Sequence, residues 1–223
     1  MGIPALLHER ETSLDADWLT STHTAPAGTE LFVQGQTLQE VLHVVSGIVK
    51  LTQWDPRGVE SIVGFTFAGE WLGTAAVIAE SPTPMSAITC CRTALRRVSA
   101  RTFRDQLDHN RQLSRQMHEA HSRELCRQTQ WIGQLCSLGS LQRLRCALCR
   151  LAEAAQGTVS GSAVRLQLPI HRWELAEFIG VTPEHLSRLL KDMERRDLIR
   201  REKGWIVIRD FTRLCREDDP QSS

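Results

Sequence analysis

The most informative segment of this 223-residue chain is residues 171–209, HRWELAEFIGVTPEHLSRLLKDMERRDLIRREKGWIVIR. Apolar residues at helical spacing predict a first helix over residues 172–179. Gly180 ends it, because glycine readily takes the left-handed conformation found at helix ends. Thr182 is a favourable cap for a second helix, with Pro183 at its first position. Two helices joined by a short turn that contains glycine predict a helix-turn-helix.

The second helix presents a polar face that suits duplex DNA. Residues near the N-terminus of such a helix reach base edges in the major groove, and we assign base reading to Glu184, Ser187 and Arg188. Arginine donates two hydrogen bonds to guanine, and a carboxylate accepts one from the amino group of cytosine. Residues 198–208 predict a two-stranded wing. Contacts to phosphates, which position the protein without specifying sequence, are assigned to Arg172, Thr182, His185, Lys191 and Lys203.

The segment before the helix-turn-helix predicts a β domain followed by a long helix. Short apolar runs separated by turn residues between positions 25 and 98 are typical of a small antiparallel barrel or sandwich. Residues 102–138 contain no proline and carry an apolar stripe, which favours one long helix paired with its copy in a dimer. A helix packed only on its own β domain is the alternative. The residues assigned to the dimer helix are Leu113, Met117, Ala120, Leu125, Ile132 and Leu135. The expected fold class is α+β, with domains at 1–108, 109–138 and 139–223.

Charge and cysteine content narrow the function classes. Residues 1–90 hold three Lys or Arg against ten Asp or Glu, a net charge of −7, whereas residues 91–223 carry +8. Such asymmetry suggests a basic half that meets a polyanion. The odd number of seven cysteines argues against a disulfide framework. No membrane-length apolar run and no signal peptide are evident, so we expect a cytoplasmic protein that does not contact membranes. The lack of any catalytic motif argues against an enzyme.

The pattern Glu184-x-x-Ser187-Arg188, placed after a β domain and a long helix, resembles the Crp/Fnr family of bacterial regulators. The resemblance covers nearly the whole chain from about residue 25. It implies a β-roll (jelly-roll) like those that bind cyclic nucleotides, a dimerisation helix and a winged helix-turn-helix. The Fnr branch is the nearer one, since the Crp branch has glycine in place of Ser187 and arginine in place of Pro183. By resemblance, the protein is a homodimer on a palindromic operator with TTGAT-like half-sites, and RNA polymerase is a further partner if it activates transcription.

The sensor segment departs from the cyclic-AMP receptors of this family. Those receptors hold the ribose and the phosphate with a Gly-Glu-Leu and an Arg-Ser-Ala motif, and the corresponding effector pocket here comprises Gly73, Thr74, Met85 and Ser86. Thr74 stands in place of the glutamate, and Met85 or Pro84 in place of the arginine. A cyclic phosphate buried without a cation loses a charge-assisted pair. Cyclic AMP is therefore disfavoured as the effector.

Other cofactors are weakly indicated. No cysteine precedes Cys90, so the N-terminal ligands of an Fnr-type iron–sulfur cluster are missing. His43, on a predicted strand, is a candidate haem ligand, but a packed histidine is the simpler interpretation. Cys90 with Cys91, and Cys146 with Cys149, could serve redox or metal chemistry or be ordinary core cysteines. Four soft ligands at metal spacing are absent, and no metal is predicted. An effector-free DNA-binding protein and a redox- or haem-responsive regulator remain alternatives to control by a small effector in the β-roll.

Overall fold

The computed structural model describes residues 21–156, 164–166, 170–202 and 205–215. They form two compact units, and the boundary between these units in the sequence lies between Cys136 and Ser137. Within the described residues, no helix has both the length and the apolar character needed to cross a membrane.

The first unit is built on two antiparallel four-stranded sheets. Its strands are β1 (His23–Ala25), β2 (Glu30–Phe32), β3 (Glu40–Ser46), β4 (Ile48–Trp54), β5 (Glu60–Phe67), β6 (Trp71–Leu72), β7 (Ser86–Thr89) and β8 (Thr93–Ser99), with the short helix α1 (Thr74–Ile78) after β6. One sheet has the order β1-β8-β3-β6 and the other β2-β7-β4-β5. Side chains of Val41, Val44, Val49 and Ala87 are fully buried between them. Alternate residues of a half-buried strand point inward, and the predicted β-roll is confirmed.

The helical segment that follows is broken once. Helix α2 (Ala100–His109) and helix α3 (Arg111–Ser137) are separated by Asn110, so the prediction of a single helix from residue 102 is wrong. Asn110 has an extended backbone with φ −109° and ψ 93°. Its side-chain Oδ1 accepts a hydrogen bond of 3.0 Å from the backbone N–H of Leu113. Asparagine side chains compete with the helical backbone in this way and cap the helix that follows.

The apolar stripe of α3 is divided between two roles. Leu113 and Met117 belong to the core of the β-roll, with only 1% and 5% of their surface exposed, so their assignment to a dimer seam is wrong. Ala120 is half-buried within its own chain. Leu125 and Ile132 remain 65% and 61% exposed. The first turns of α3 therefore pack on the β-roll, and its second half carries the apolar side chains that face solvent.

The second unit contains the helix-turn-helix. Its elements are α4 (Ser140–Gln156), β9 (Val164–Leu166), α5 (Arg172–Phe178), α6 (Pro183–Arg195), β10 (Ile199–Glu202), β11 (Trp205–Ile208) and α7 (Phe211–Cys215). Leu144, Ala147, Leu148 and Leu151 of α4 are buried, and their spacing places them on one face of the helix. The wing is larger than predicted, because β9 pairs with β11 to give a three-stranded sheet of order β10-β11-β9.

Two features at the end of the described chain were not predicted. Helix α7 follows the wing, and its residue Cys215 forms a disulfide with Cys149 of α4. The described residues thus contain one disulfide, which the argument against a disulfide framework did not anticipate. An odd cysteine count excludes complete pairing but does not exclude one pair, and only the fold brings two cysteines 66 positions apart into contact.

Candidate DNA-binding surface

The start of α6 is built from local signals that were visible in the sequence. Thr182 caps the helix, and its side-chain oxygen accepts a 3.2 Å hydrogen bond from the backbone N–H of His185. Pro183 occupies the first turn, where its missing N–H costs nothing. The inner face is apolar and buried, and its members are Leu186, Leu189, Leu190 and Met193. Burial of this face leaves the opposite face of α6 outward.

The outward face of α6 carries most of the predicted base-reading groups. Glu184 and Arg188 are exposed and lie one helical turn apart. Ser187 is half-buried and donates a 3.0 Å hydrogen bond to the carbonyl of Pro183. Farther along the same helix, a shallow concavity is lined by Arg188, Lys191, Glu194 and Arg195. Arg195 was missed because sequence reasoning considered only the first turns of the helix.

The carboxylate of Glu184 is stabilised in its charged form. A hydrogen bond from its own backbone N–H lowers its pKa below the usual value, and the hydroxyl of Thr182 lowers it further. The nearby charge of Arg188 acts in the same direction. Glu184 is therefore an ionised hydrogen-bond acceptor at neutral pH, which is the form that accepts from the amino group of cytosine.

Helix α5 supports α6 through a tight turn. Ala176 is fully buried, and its carbonyl accepts a 2.9 Å hydrogen bond from the N–H of Val181. Gly180 has φ +69°, the left-handed conformation predicted for it. At the other end of α5, the backbone N–H of His171 donates to Glu174 Oε2 at 2.7 Å, which completes a capping box. Arg172 is exposed at the start of this helix.

His185 is less exposed than Arg172, Thr182 and Lys191, which were also predicted to contact phosphate. Its ring is half-buried, and its Nε2 lies 2.8 Å from Oγ of Ser140 at the start of α4. The His185 ring therefore joins α4 to α6, a role that differs from the phosphate contact predicted for it. Arg143 adds a contact that sequence reasoning missed, since its Nε donates to the carbonyl of Ile179 at 2.9 Å. Nothing in the sequence marks that arginine, because its partner is a backbone carbonyl 36 positions away.

The wing is tied to α6 by an ion pair between Arg201 of β10 and Glu194. The guanidinium Nη2 donates to Oε2 at 2.6 Å, and the backbone N–H of Arg201 donates to Oε1 at 3.0 Å. The hydrogen bond from Arg201 is the main reason why the pKa of Glu194 is lowered. This pair sets the position of β10 against the recognition helix. Lys203, predicted to contact phosphate, lies outside the described residues.

The predicted effector pocket lies where α1 begins and β7 starts. Gly73 precedes α1 with φ +80°, a conformation that is strained for other residues, and a Cβ there would lie 2.7 Å from Leu38 Cδ1, which would have to shift. Thr74 is buried, and its hydroxyl lies 2.9 Å from Nε2 of His121 on α3. Ser86 is buried too, and its Oγ accepts a 2.9 Å hydrogen bond from the N–H of Gln34. Both hydroxyls of the pocket therefore have partners within the chain.

Two family profiles match this chain in the order of its two units. Residues 22–110 match the cyclic nucleotide-binding domain, and residues 142–217 match the Crp-like helix-turn-helix domain. The chain belongs to the Crp/Fnr family of transcription regulators. Among its relatives, the CRP-like cAMP-activated global transcriptional regulator of Mycobacterium tuberculosis is 25% identical over 191 residues, which cover 86% of this chain and 85% of that protein.

Other comparisons agree with this membership of the Crp/Fnr family. The cAMP-activated global transcriptional regulator CRP of Salmonella typhimurium is 24% identical over 209 residues, covering 91% of this chain and 98% of that protein. The solved structure of FixK2 from Bradyrhizobium japonicum has a TM-score of 0.76 at 20% identity and covers 91% and 98% of the two chains. These comparisons confirm the predicted α+β fold. The relatives are transcription regulators, so the prediction that the chain is not an enzyme is also confirmed.

The residues of this Crp/Fnr β-roll do not fit a cyclic nucleotide. Met85, at the position expected to hold the phosphate, is half-buried and carries no charge. The hydroxyls of Thr74 and Ser86 are engaged by His121 and Gln34. A nucleotide would have to displace these partners, and Met85 would offer no charge to its phosphate, which is costly in a buried site.

The remaining candidate cofactor sites are also defined by packing. The ring nitrogens of His43 are buried, and the ring lies 5.0 Å from that of Trp71 between centroids. Burial lowers the pKa of His43, and Arg96 lowers it further. This is the environment of a packed histidine, although neither ring nitrogen has a hydrogen-bond partner among the described residues. Cys90 and Cys91 follow β7 as half-buried thiols. In the part of the chain that the structure describes, no three His, Cys, Asp or Glu side chains are grouped to hold a metal ion.

Proposed function

We propose that this regulator acts as a homodimer on a palindromic operator with TTGAT-like half-sites, one read by each protomer. The observation that carries the proposal is the outward face of α6, where Glu184 and Arg188 lie one turn apart just beyond the Thr182 cap. Arg188 donates to guanine O6 and N7, and Glu184 accepts from cytosine N4. Ser187 makes the less selective contact between them.

Contacts to the DNA backbone come from the periphery of this face. Arg172 at the start of α5 and Lys191 on α6 are exposed cations suited to phosphates. Thr182 stands at the N-terminus of α6, where the helix dipole favours an anion. Lys203 remains a proposed contact from the turn of the wing.

The dimer seam is formed by the second half of α3. Leu125, Ile132 and Leu135 are exposed by 65%, 61% and 38% in the single chain. Their spacing of seven and three residues matches the repeat of a two-stranded coiled coil. A twofold dimer places two recognition helices on half-sites about 34 Å apart, which explains a palindromic operator. Such a protein binds chromosomal DNA in the cytoplasm. RNA polymerase is a further partner if the protein activates transcription.

The β-roll favours control without a cyclic nucleotide. The Thr74–His121 hydrogen bond already joins the pocket to α3, the helix on which dimerisation depends. That contact supports an effector-free regulator, in which His121 of the same chain, and not a bound effector, is the hydrogen-bond partner of Thr74. A small effector of different chemistry, bound elsewhere in the β-roll, is the alternative.

Binding measurements with three arginine variants test the proposed base contacts. Arg188→Ala should lower affinity for an inverted TTGAT duplex by about 1–3 kcal/mol and relax preference at one base position. Arg172→Ala should weaken binding to all duplexes about equally and reduce the salt slope by about one unit. Arg57→Ala, in an exposed turn of the β-roll, is the control and should change neither. Unchanged affinity and base preference in Arg188→Ala would overturn the assignment.

A further inference from the structure

Helix α7 depends for its stability on contacts with the rest of its unit, in particular with α4. A five-residue helix does not persist on its own in water. Phe211 and Leu214 are 7% and 1% exposed, so α7 buries its apolar side. The buried guanidinium of Arg145, on α4, donates from Nε to the carbonyl of Leu214 at 3.0 Å and from Nη2 to that of Arg213 at 3.1 Å. These carbonyls belong to the last turn of α7, which has no helical partners for them.

The Cys149–Cys215 disulfide lies beside this contact. Cys149 is one helical turn after Arg145 on α4 and is 8% exposed, while Cys215 is half-buried at the end of α7. Their Cα atoms are 6.1 Å apart, a separation that a disulfide normally spans. Arg145 and Cys149 therefore fasten the same end of α7 to the same face of α4.

Helix α7 also contacts the recognition helix. The guanidinium Nη2 of Arg213 donates to the carbonyl of Arg196 at 3.3 Å, and Arg196 is the C-cap that directly follows α6. The last carbonyls of a helix lack internal partners, and a cation is favourable beside them. If α7 is less firmly held, the C-terminal end of α6 loses this hydrogen bond and becomes less stable.

We propose that Cys149 and Cys215 form a thiol–disulfide site that sets the stability of the DNA-binding unit according to the redox state. The oxidant is a low-molecular-weight disulfide. The thiolate of Cys215, the more exposed partner, attacks one of its sulfurs and releases a small thiolate. Cys149 then attacks the sulfur of Cys215 in the mixed disulfide, forms the protein bond and releases the second small thiolate. The two protons lost by the cysteines pass to the two released thiolates, which become thiols, so the small disulfide gains two electrons in total.

Closing the bond joins residues 66 positions apart, which removes much of the freedom of the unfolded chain. The reduced form keeps the Arg145 contacts but loses the covalent tie. A compartment rich in small thiols therefore holds α7 less firmly, and an oxidising one holds it more firmly. This redox site is independent of operator recognition and includes none of the base-reading residues.

The test uses the full chain equilibrated in mixtures of reduced and oxidised glutathione. Remaining thiols are trapped with N-ethylmaleimide, and the protein is digested without reductant for mass spectrometry. We expect a peptide pair linked through Cys149 and Cys215 to appear in a two-electron transition. The midpoint of thermal unfolding should rise by at least about 5 °C across that transition. Amide exchange should slow over residues 192–196 and 211–215 and stay constant in the β-roll.

Variants separate this pair from the other cysteines. Cys215→Ser should abolish the linked peptide, the rise in midpoint and the change in exchange. Cys146→Ser, on the same helix and three residues before Cys149, is the matched control and should retain all three. Absence of the linked peptide from wild-type protein at every glutathione ratio would overturn the proposal, as would an unchanged midpoint when the peptide is present. None of these readouts uses DNA, so failure here is distinguishable from failure of the operator proposal.

Discussion

The ion pair between Glu194 and Arg201 offers a quantitative test of how the wing is attached to the recognition helix. Two hydrogen bonds, of 2.6 and 3.0 Å, join the carboxylate to the side chain and to the backbone of Arg201. The Arg201 and Glu194 side chains are 25% and 29% exposed. Fully exposed pairs contribute about 0–1 kcal/mol, and hydrogen bonds to charged groups about 1.5–3 kcal/mol. At this partial burial we expect a coupling free energy of about 1–1.5 kcal/mol.

A double-mutant cycle measures that coupling directly. Glu194→Gln keeps the shape and can still accept from the backbone N–H of Arg201, whereas Arg201→Gln removes the guanidinium. Hydrogen exchange of the full-length chain, followed on peptides that cover residues 197–208, reports the free energy of local opening of the wing. The wild type, both single variants and the double variant are compared at the same pH. Loss of the pair should also weaken binding to the inverted TTGAT duplex, because the wing carries a proposed phosphate contact.

The pH dependence of amide protection in the wing is a second, independent test of the ion pair. The hydrogen bond from Arg201 lowers the pKa of Glu194 in the folded chain. A carboxyl group with a lowered folded pKa contributes stability above its unfolded pKa and loses it as the pH falls through the folded value. Protection of the wing should therefore hold at neutral pH and fall in the acid range, and Glu194→Gln should flatten this part of the profile. A coupling below about 0.3 kcal/mol, which is within the error of additivity, would refute the reasoning.

Two further predictions concern the β-roll and its helix. Leu125→Asp should convert the dimer to a monomer in light scattering, because it places like charges in an apolar seam. The control Gln130→Asp, on another exposed face of α3, should remain dimeric. A Leu125→Asp variant that is still dimeric would contradict the proposed seam. Cyclic AMP at millimolar concentration should leave the thermal midpoint unchanged, because Met85 offers no cation for its phosphate. A ligand at 100 times its Kd stabilises by about 2.7 kcal/mol, so a rise of several degrees would show that the pocket does accept the nucleotide.

The start of the recognition helix was predictable because its signals are local. Thr182, Pro183 and Gly180 act within a few residues of themselves, through a cap, a fixed φ and a left-handed turn. The β domain was likewise recognisable from short apolar runs and turns between positions 25 and 98, which include the strands Ile48–Trp54 and Glu60–Phe67. The break at Asn110 was also a local signal, although the stronger helical pattern on either side concealed it.

Local pattern alone thus decided the change from a β domain to helices along the chain, the cap and turn of the helix-turn-helix, and the polar face of α6. The folded chain decided which surface each apolar stripe covers: Leu113 and Met117 pack on their own β-roll, although their spacing equally suits a partner helix. It also decided the Thr74–His121 hydrogen bond and the Cys149–Cys215 disulfide. The periodicity of apolar residues indicates that one face of a helix is buried. It does not indicate which distant residues pack against that face.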